Sequence, residues 1–235
     1  MSSITIQRPK TFQHYLQSIC LIMGLSLGRG LPLTAQKWSG TLEWENILSS
    51  SFYKNTSDAL NLRPRFRYTA FPNLMGHLNY HFSETMGLSL GFGMRNLGLI
   101  LANDSLQRKW RNIALCAPLT FRIGRLRKPQ FAALMGMAAN LMIFYKETTR
   151  LHNNRMDKRF TIFSEAVLPF NPSFHAGVQV WMFSIKYNIT LFNYLNRAYV
   201  DNMGQKPFKD TRSPLWWLSV SFQITRNWEK EKRVK

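Results

Sequence analysis

The sequence predicts an all-β protein, an eight-stranded antiparallel up-and-down transmembrane β-barrel that spans residues 37–225. In the segment 87–94, large apolar residues alternate with glycine and serine, so one face of the strand is bulky and the other nearly bare. Similar alternation recurs from residue 42 to residue 224, and no uncharged apolar run approaches the roughly 20 residues of a helical span. Strands with a bulky face toward lipid and a small face toward a narrow lumen are typical of transmembrane barrels.

Residues 1–36 have the features of a secretory signal peptide. Arg8 and Lys10 form a basic region, residues 19–27 form the apolar core, and residues 33–36 offer a cleavage zone of mostly small residues. The alternative is an uncleaved amphipathic anchor, which this order of features disfavours. We therefore expect export from the cytoplasm.

The chain is strongly basic, with 31 Lys and Arg against 12 Asp and Glu. Removal of residues 1–36 takes away three basic residues and no acidic ones, which leaves a net charge of +16. Such a charge predicts anionic partners, and for an exported protein anionic lipid fits better than nucleic acid. Cys116 then remains the single cysteine, which excludes an intramolecular disulfide.

Alternation defines the first three strands. The first strand, around 41–45, has apolar side chains on one face and acidic ones on the other. The second is predicted as one long strand over 65–82, because apolar residues keep the even positions on both sides of Pro72. A tight turn at 83–85 leads into the third strand, where the apolar residues change parity near Arg95. A β-bulge would explain this change.

The middle of the chain continues as a hairpin. The fourth strand covers 112–123 and is followed by a basic turn at 124–129. The fifth, 131–146, is uniformly apolar, and its position in a hairpin favours a strand over a helix. Residues 147–158 are polar and predict a long loop.

Two further strands lie between residues 159 and 196, but two arrangements are compatible with the pattern. In the first, residues 160–168 pair with residues 175–191 across a tight turn. In the second, the strands are 174–181 and 186–194.

The chain closes with a loop over 197–214, a strand over 215–224 and a basic tail at 226–235, predicted to be periplasmic. This gives about eight strands. In the first of the two arrangements, connections of roughly four or five residues alternate with connections of roughly ten or more, as expected for periplasmic turns and extracellular loops. Aromatic residues cluster toward the strand ends, as in interfacial girdles.

Charged residues on the bare faces predict a network inside the lumen. Its members are Glu43, Glu45, Arg65, Arg67, Arg95 and Arg122. An eight-stranded barrel is just wide enough to be filled by side chains, so these charges should form a paired plug. An ion path is the functional alternative and would need a wider pore.

We expect no metal, no cofactor and no catalysis. His77 and His81 would lie about 13 Å apart along their strand, too far to hold one metal ion without other ligands. His175 lies near Ser173, which raises the alternative of a lipid A hydrolase, but no spacing supports a triad.

Basic clusters in the loops could hold the phosphates of lipopolysaccharide by charge-assisted hydrogen bonds. The clusters are Arg63, Arg65 and Arg67; Arg108, Lys109 and Arg111; Arg155, Lys158 and Arg159; and Lys206, Lys209 and Arg212. For each cluster, solvated loop charge is an equally good interpretation.

Several segments resemble small outer-membrane β-barrel proteins of the PorT-like superfamily. They are FYKE at 144–147, PSF at 172–174, GVQ at 177–179 and the aromatic strand at 215–224. The resemblance covers residues 37–225 and implies a barrel in the cell outer membrane of a Gram-negative bacterium. It implies a structural, surface-interaction or secretion-accessory role, with other envelope proteins as possible partners. The alternatives are a small porin-like pore, a lipid A-modifying enzyme and a soluble exported barrel that binds an apolar ligand.

Overall fold

The computed structural model describes residues 37–55, 61–126, 131–151, 156–201 and 204–227. Within these ranges the chain forms thirteen strands. Their bounds are β1 Lys37–Ser51, β2 Lys54–Asn55, β3 Arg63–Arg65, β4 Arg67–Thr69, β5 Leu74–His81, β6 Met86–Ala102, β7 Leu106–Arg125, β8 Phe131–Leu151, β9 Met156–Ile162, β10 Ser173–Val180, β11 Phe183–Asn193, β12 Thr211–Arg212 and β13 Pro214–Asn227. In these same ranges, no helix has the length and apolar character needed to cross a membrane.

Eight strands close into an antiparallel ring in the order β1, β5, β6, β7, β8, β10, β11 and β13. The long pairing of β13 with β1, from Ser39↔Asn227 to Ser51↔Leu215, joins the last strand to the first. β8 and β10 pair directly as well, which completes the ring. The predicted all-β, eight-stranded antiparallel barrel is therefore confirmed. The remaining strands extend the wall or, for β2 and β12, form a separate ribbon.

The two ends of the barrel differ. The start of β1, the end of β13 and the turns 82–85 and 181–182 share one end, which we call the terminal end. β7 ends and β8 begins at this same end. At the opposite end, the loop end, the chain passes from β1 to β5, from β6 to β7, from β8 to β10 and from β11 to β13. The connection 103–105 is much shorter than predicted, because β6 and β7 stay paired as far as Ala102↔Gln107.

Between residues 159 and 196 the second arrangement is the closer one, and the first is wrong. β10 and β11 pair from Ser173↔Thr190 to Val180↔Phe183, with Trp181 and Met182 as the two-residue turn. Two-residue hairpin turns normally carry Asn or Gly. This Trp–Met turn has neither residue, so the position of the turn cannot be predicted from its sequence.

The predicted second strand is interrupted at residues 70–73 and forms β3, β4 and β5 instead of one strand. The Asn73 side chain takes over part of the hydrogen bonding at this break. Its amide donates to the Thr69 carbonyl at 3.1 Å, and its oxygen accepts from the Asn96 backbone N–H at 2.7 Å. The alternation of inward and outward side chains survives the break, since Thr69 and Met75 are both buried.

The predicted bulge near Arg95 is absent from β6. Odd-numbered side chains point inward along the whole strand, from Ser89 through Arg95 to Leu101. The large apolar residues move from even to odd positions near Arg95 because the interior that the odd positions face becomes apolar toward the loop end. A bulge does occur in β8, at Ile143, between the pairs Ile113↔Phe144 and Ala114↔Met142.

The outer face is apolar and the interior has three layers. Leu126, Ala132 and Leu134 form a small apolar floor near the terminal end. A polar layer lies above it, and an apolar cap fills the loop end. The cap includes Ile47, Leu97, Leu99, Leu101, Trp110, Tyr145, Tyr194, Leu195, Leu215 and Trp217.

The bulky residues of β6 face outward, where Leu90 is 47% and Phe92 is 64% exposed. This orientation contradicts the alternative of a soluble barrel with its bulky face inward.

Candidate functional site

The centre of the polar layer is a buried ion pair between β1 and β6. Arg95 donates to Glu45 through both Nε, at 2.6 Å, and Nη2, at 3.0 Å. Both side chains are at most 2% exposed. The guanidinium also lies 6.0 Å from the ring centroid of Trp217, at the base of the apolar cap. Such a two-pronged, desolvated pair gives Arg95 a single defined orientation.

Lys186 of β11 joins the two glutamates into one cluster. Its Nζ lies 2.6 Å from Glu43 Oε1 and 2.7 Å from Glu45 Oε1. His77 of β5 donates to the other oxygen of Glu43, with 2.7 Å between Nε2 and Oε2. Each carboxylate therefore has more than one donor, which is the condition for keeping charges in a protein interior.

Small residues on the intervening strand allow Lys186 to reach β1. β13 lies between β11 and β1, and its inward positions near the cluster are Ser219 and Ser221. Both serines are buried and short, so the lysine stem passes over them to the carboxylates. The alternation of β11 thus directs the Lys186 side chain inward, and the short inward side chains of β13 leave space for it to reach β1.

The other predicted network residues lie in three different surroundings. Arg122 is buried near the floor and donates from Nη2 to Gln179 Oε1 at 2.7 Å. Arg67 is buried closer to the loop end and bonds to the backbone carbonyl and side-chain oxygen of Asn96. Arg65 is exposed on the outer wall, because the chain changes partner between β3 and β4.

Sequence reasoning missed Lys186 as a member of the cluster. The signal was present in β11, where the polar residues Ser184, Lys186, Asn188 and Thr190 alternate with apolar ones. A lysine on the polar face of a lumen-facing strand requires a carboxylate partner, and the two glutamates of β1 were available.

The apolar cap fills the interior near the loop end with large side chains. Trp110 and Trp217 are at most 1% exposed, and Tyr194 is fully buried at the start of the last long loop. A hydrogen bond of 2.6 Å joins the Tyr194 hydroxyl to the Asn112 amide on the opposite wall. The chain leaving β11 is thereby anchored inside the barrel.

The residues considered for hydrolysis and for metal binding lie inside the wall. Ser173 hydrogen-bonds to Asn140 at 3.0 Å, and His175 bonds to Thr120 at 2.9 Å, both out of reach of lipid. His77 is held by Glu43, while His81 bonds to Ser39 at 3.2 Å. Within the described ranges, no group of three metal-binding side chains comes together.

The outer face carries aromatic side chains at two levels. Trp38, Tyr80 and Phe82 contact one another near the terminal end, with ring centroids 4.9 Å apart in each neighbouring pair. Toward the loop end, Phe66 and Tyr187 pack on Trp216. Ten residues of β1 separate the levels of Trp38 and Tyr68, or about 26 Å for strands tilted by about 40°. This matches the apolar band of outer-membrane barrels.

Beyond this band, basic side chains line one side of the outer wall. The register aligns Arg65, Ile100, Lys109, Thr148 and Lys158 across five strands. Arg111 and Lys146 are direct partners in the next row toward the membrane, beside the stacked rings of Phe144 and Phe160. We call this the basic wall; it comprises Arg65, Lys109, Arg111, Lys146, Arg150 and Lys158.

The four basic clusters of the sequence divide in the structure. Two contribute to the basic wall through Arg65, Lys109 and Arg111, and a third contributes Lys158. Lys206 and Lys209 are exposed in the last loop and Arg212 is exposed in β12, whereas Arg155 lies outside the described residues. The predicted signal peptide at 1–36 and the tail beyond residue 227 also lie outside them, while Arg226 belongs to β13.

No protein-family model matches the sequence, and no curated protein matches it. Solved structures similar to the chain are small outer-membrane barrels. Ail, the attachment invasion locus protein of Yersinia pestis, is 13% identical with a TM-score of 0.36, over 81% of this chain and 100% of Ail. Neisserial surface protein A is 7% identical with a TM-score of 0.37, over 81% of this chain and 98% of its own. OprG of Pseudomonas aeruginosa is 7% identical with a TM-score of 0.31, over 80% of this chain and 96% of its own.

Proposed function

We propose that the chain is a non-enzymatic, non-conducting barrel of the outer membrane whose basic wall binds the phosphate groups of lipopolysaccharide. Its role is structural or in surface interaction, through the outer leaflet that it holds. The proposal includes cleavage of residues 1–36 and membership of the PorT-like superfamily, which the segments quoted above support.

The observation that carries the proposal is the pairing of Arg111 with Lys146. Directly opposite like charges on one sheet face repel each other and destabilise the pairing. Both side chains are exposed, and both lie beside the stacked rings of Phe144 and Phe160. An anionic phosphate between them would turn the repulsion into two charge-assisted contacts.

The location of the wall fits the same ligand. Long connections belong to the extracellular end of outer-membrane barrels, and the three long connections between successive ring strands lie at the loop end here. Phosphates of the outer leaflet lie just outside the apolar band, at the height of Arg111 and Lys146. Arg65, Lys109 and Lys158 continue the positive surface away from the membrane.

Titration of the detergent-solubilised barrel with lipid A, and with lipid A stripped of its phosphates, tests this proposal. We expect the double variant Arg111→Glu, Lys146→Glu to lose at least about tenfold in affinity for phosphorylated lipid A. The control is Arg125→Glu, an exposed arginine at the terminal end of the same strand. Equal affinity of all three proteins, or equal binding of the stripped lipid, would contradict the proposal.

The enzymatic alternative has a separate test. If the chain modified lipid A, deletion of its gene would change the mass spectrum of lipid A from the cells. We expect an unchanged spectrum, since Ser173 and His175 face the interior.

A further inference from the structure

Arg122 is a buried cation with a neutral partner. Its side chain lies near the floor of the barrel, 5% exposed, and its Nη2 donates to the amide oxygen of Gln179 at 2.7 Å. Its Nε has no hydrogen-bond partner. None of the ion pairs formed by the described residues includes Arg122.

The carboxylates of the interior are already engaged. Glu45 is held by Arg95 and Lys186, and Glu43 by Lys186 and His77. This part of the interior therefore contains three permanently basic side chains and two carboxylates. A buried charge without a directly bonded counter-charge is unfavourable, and one further negative charge beside Arg122 would balance this excess.

A cavity of about 20 Å³ lies at this point, between Arg122 and the glutamate cluster. Its lining includes the cations Arg122 and Lys186 and the hydroxyls of Ser89 and Thr120. The Glu43 carboxylate also lines it, with one oxygen bound by Lys186 and the other by His77. A volume of this size holds a single water-sized particle, since about 10–15 Å³ is the minimum for one water. Sulfate, phosphate and carboxylates with several heavy atoms are too large.

We propose that this cavity binds one monatomic monovalent anion, of the class of chloride or bromide, with Arg122 as its main counter-charge. Lys186, which belongs to the glutamate cluster, contributes a second positive charge to the lining of the cavity. The anion balances the third cation and gives the unpartnered Nε an acceptor. The site is inside the barrel and shares no residue with the basic wall, so its test is independent of the test of the proposed function.

Anomalous scattering provides the direct test. Crystals of the full chain soaked in sodium bromide should show an anomalous peak in contact with the Arg122 guanidinium. Crystals of Arg122→Gln should lack this peak. Ordinary density without an anomalous signal at this position means that water alone occupies the cavity, and this result would overturn the proposal.

A solution measurement gives an independent readout. In sodium chloride, the midpoint temperature of the heat-modifiable gel shift should rise by about 3 to 5 °C per tenfold increase in chloride concentration. This rise applies at chloride concentrations above the dissociation constant of the site. At equal ionic strength, sodium gluconate should give no such rise, since gluconate is too large for the cavity.

Arg122→Lys should retain some of this chloride dependence because it keeps the charge, whereas Arg122→Gln should lose it. Lys209→Gln, an exposed loop variant, should behave as the parent. The same midpoint in both salts for the parent protein would refute the site even if an Arg122 variant failed to fold.

Discussion

Gly91 lies directly against the imidazole of His77: a Cβ atom built on this glycine would be 2.7 Å from His77 Nδ1. It would also be 2.8 Å from Cγ of Pro118. The ring of His77 therefore occupies the space that a side chain at residue 91 of β6 would fill. Since that ring donates to Glu43, the absence of a side chain at residue 91 helps to position the buried charge cluster.

Gly91→Val should destabilise the barrel. The new side chain overpacks the interior and displaces His77 from Glu43, at a cost of about 1–3 kcal/mol in the free energy of unfolding. Gly76→Val is the matched control, because Gly76 faces outward and its nearest heavy atom would be 3.8 Å from an added Cβ. Urea unfolding of both variants in detergent measures the difference. Equal losses would show that the space beside Gly91 is not filled.

Glu45→Gln should cost far more than neutralising an exposed carboxylate. The variant leaves Arg95 buried with a neutral partner, which should lower the free energy of unfolding by about 3–5 kcal/mol. Asp157→Asn is the control, since Asp157 pairs with Arg159 at 3.6 Å with both side chains more than 60% exposed. That change should cost no more than about 1 kcal/mol.

The double variant Glu45→Gln, Arg95→Met completes this comparison. Removing both charges removes the unpaired cation, so the double variant should be more stable than Glu45→Gln alone. A double variant as unstable as the sum of the two single changes would indicate that the pair is not coupled.

The sequence predicts the barrel well because alternation reports directly which residues face lipid. The long runs of β6 and β13 carry this signal without interruption. Alternation does not report what lies opposite an inward residue. Leu97 and Leu99 are apolar at positions where the polar face is expected, which predicts a bulge, but they face inward and pack in the apolar cap. That cap is built largely by Trp110, Trp217 and Tyr194, which come from distant parts of the chain.

The candidate site was predictable only in part for a related reason. Glu43 and Glu45 are conspicuous as acidic residues on a strand face in a basic chain. Which cations reach them depends on the ring order, which brings β11 within one strand of β1. Arg65 and Arg67 share a parity in the sequence, yet the change of partner between β3 and β4 separates them.

Cys116 should be protected from thiol reagents in the folded barrel. Its side chain is buried, and Sγ donates to Asn140 Oδ1 at 3.1 Å. In a Cys20→Ser background, a maleimide should label Cys116 only after unfolding in urea. Ser105→Cys, in the exposed turn after β6, should be labelled in the folded protein. Rapid labelling of Cys116 under native conditions would mean that the interior opens to solvent.

Planar bilayer recordings should show no steady single-channel conductance. The path through the barrel is blocked at two heights, by the charged cluster around Glu45 and by the cap containing Trp110 and Trp217. A purified channel-forming porin in the same bilayers serves as the positive control, and insertion of the barrel is verified by its heat-modifiable mobility. Tyr194→Ala removes the side chain that anchors the last long loop to Asn112. Among single substitutions, this is the one for which we expect brief channel openings. Steady conductance of the unmodified protein would refute a filled interior, since the packed side chains leave no aqueous path wide enough for hydrated ions.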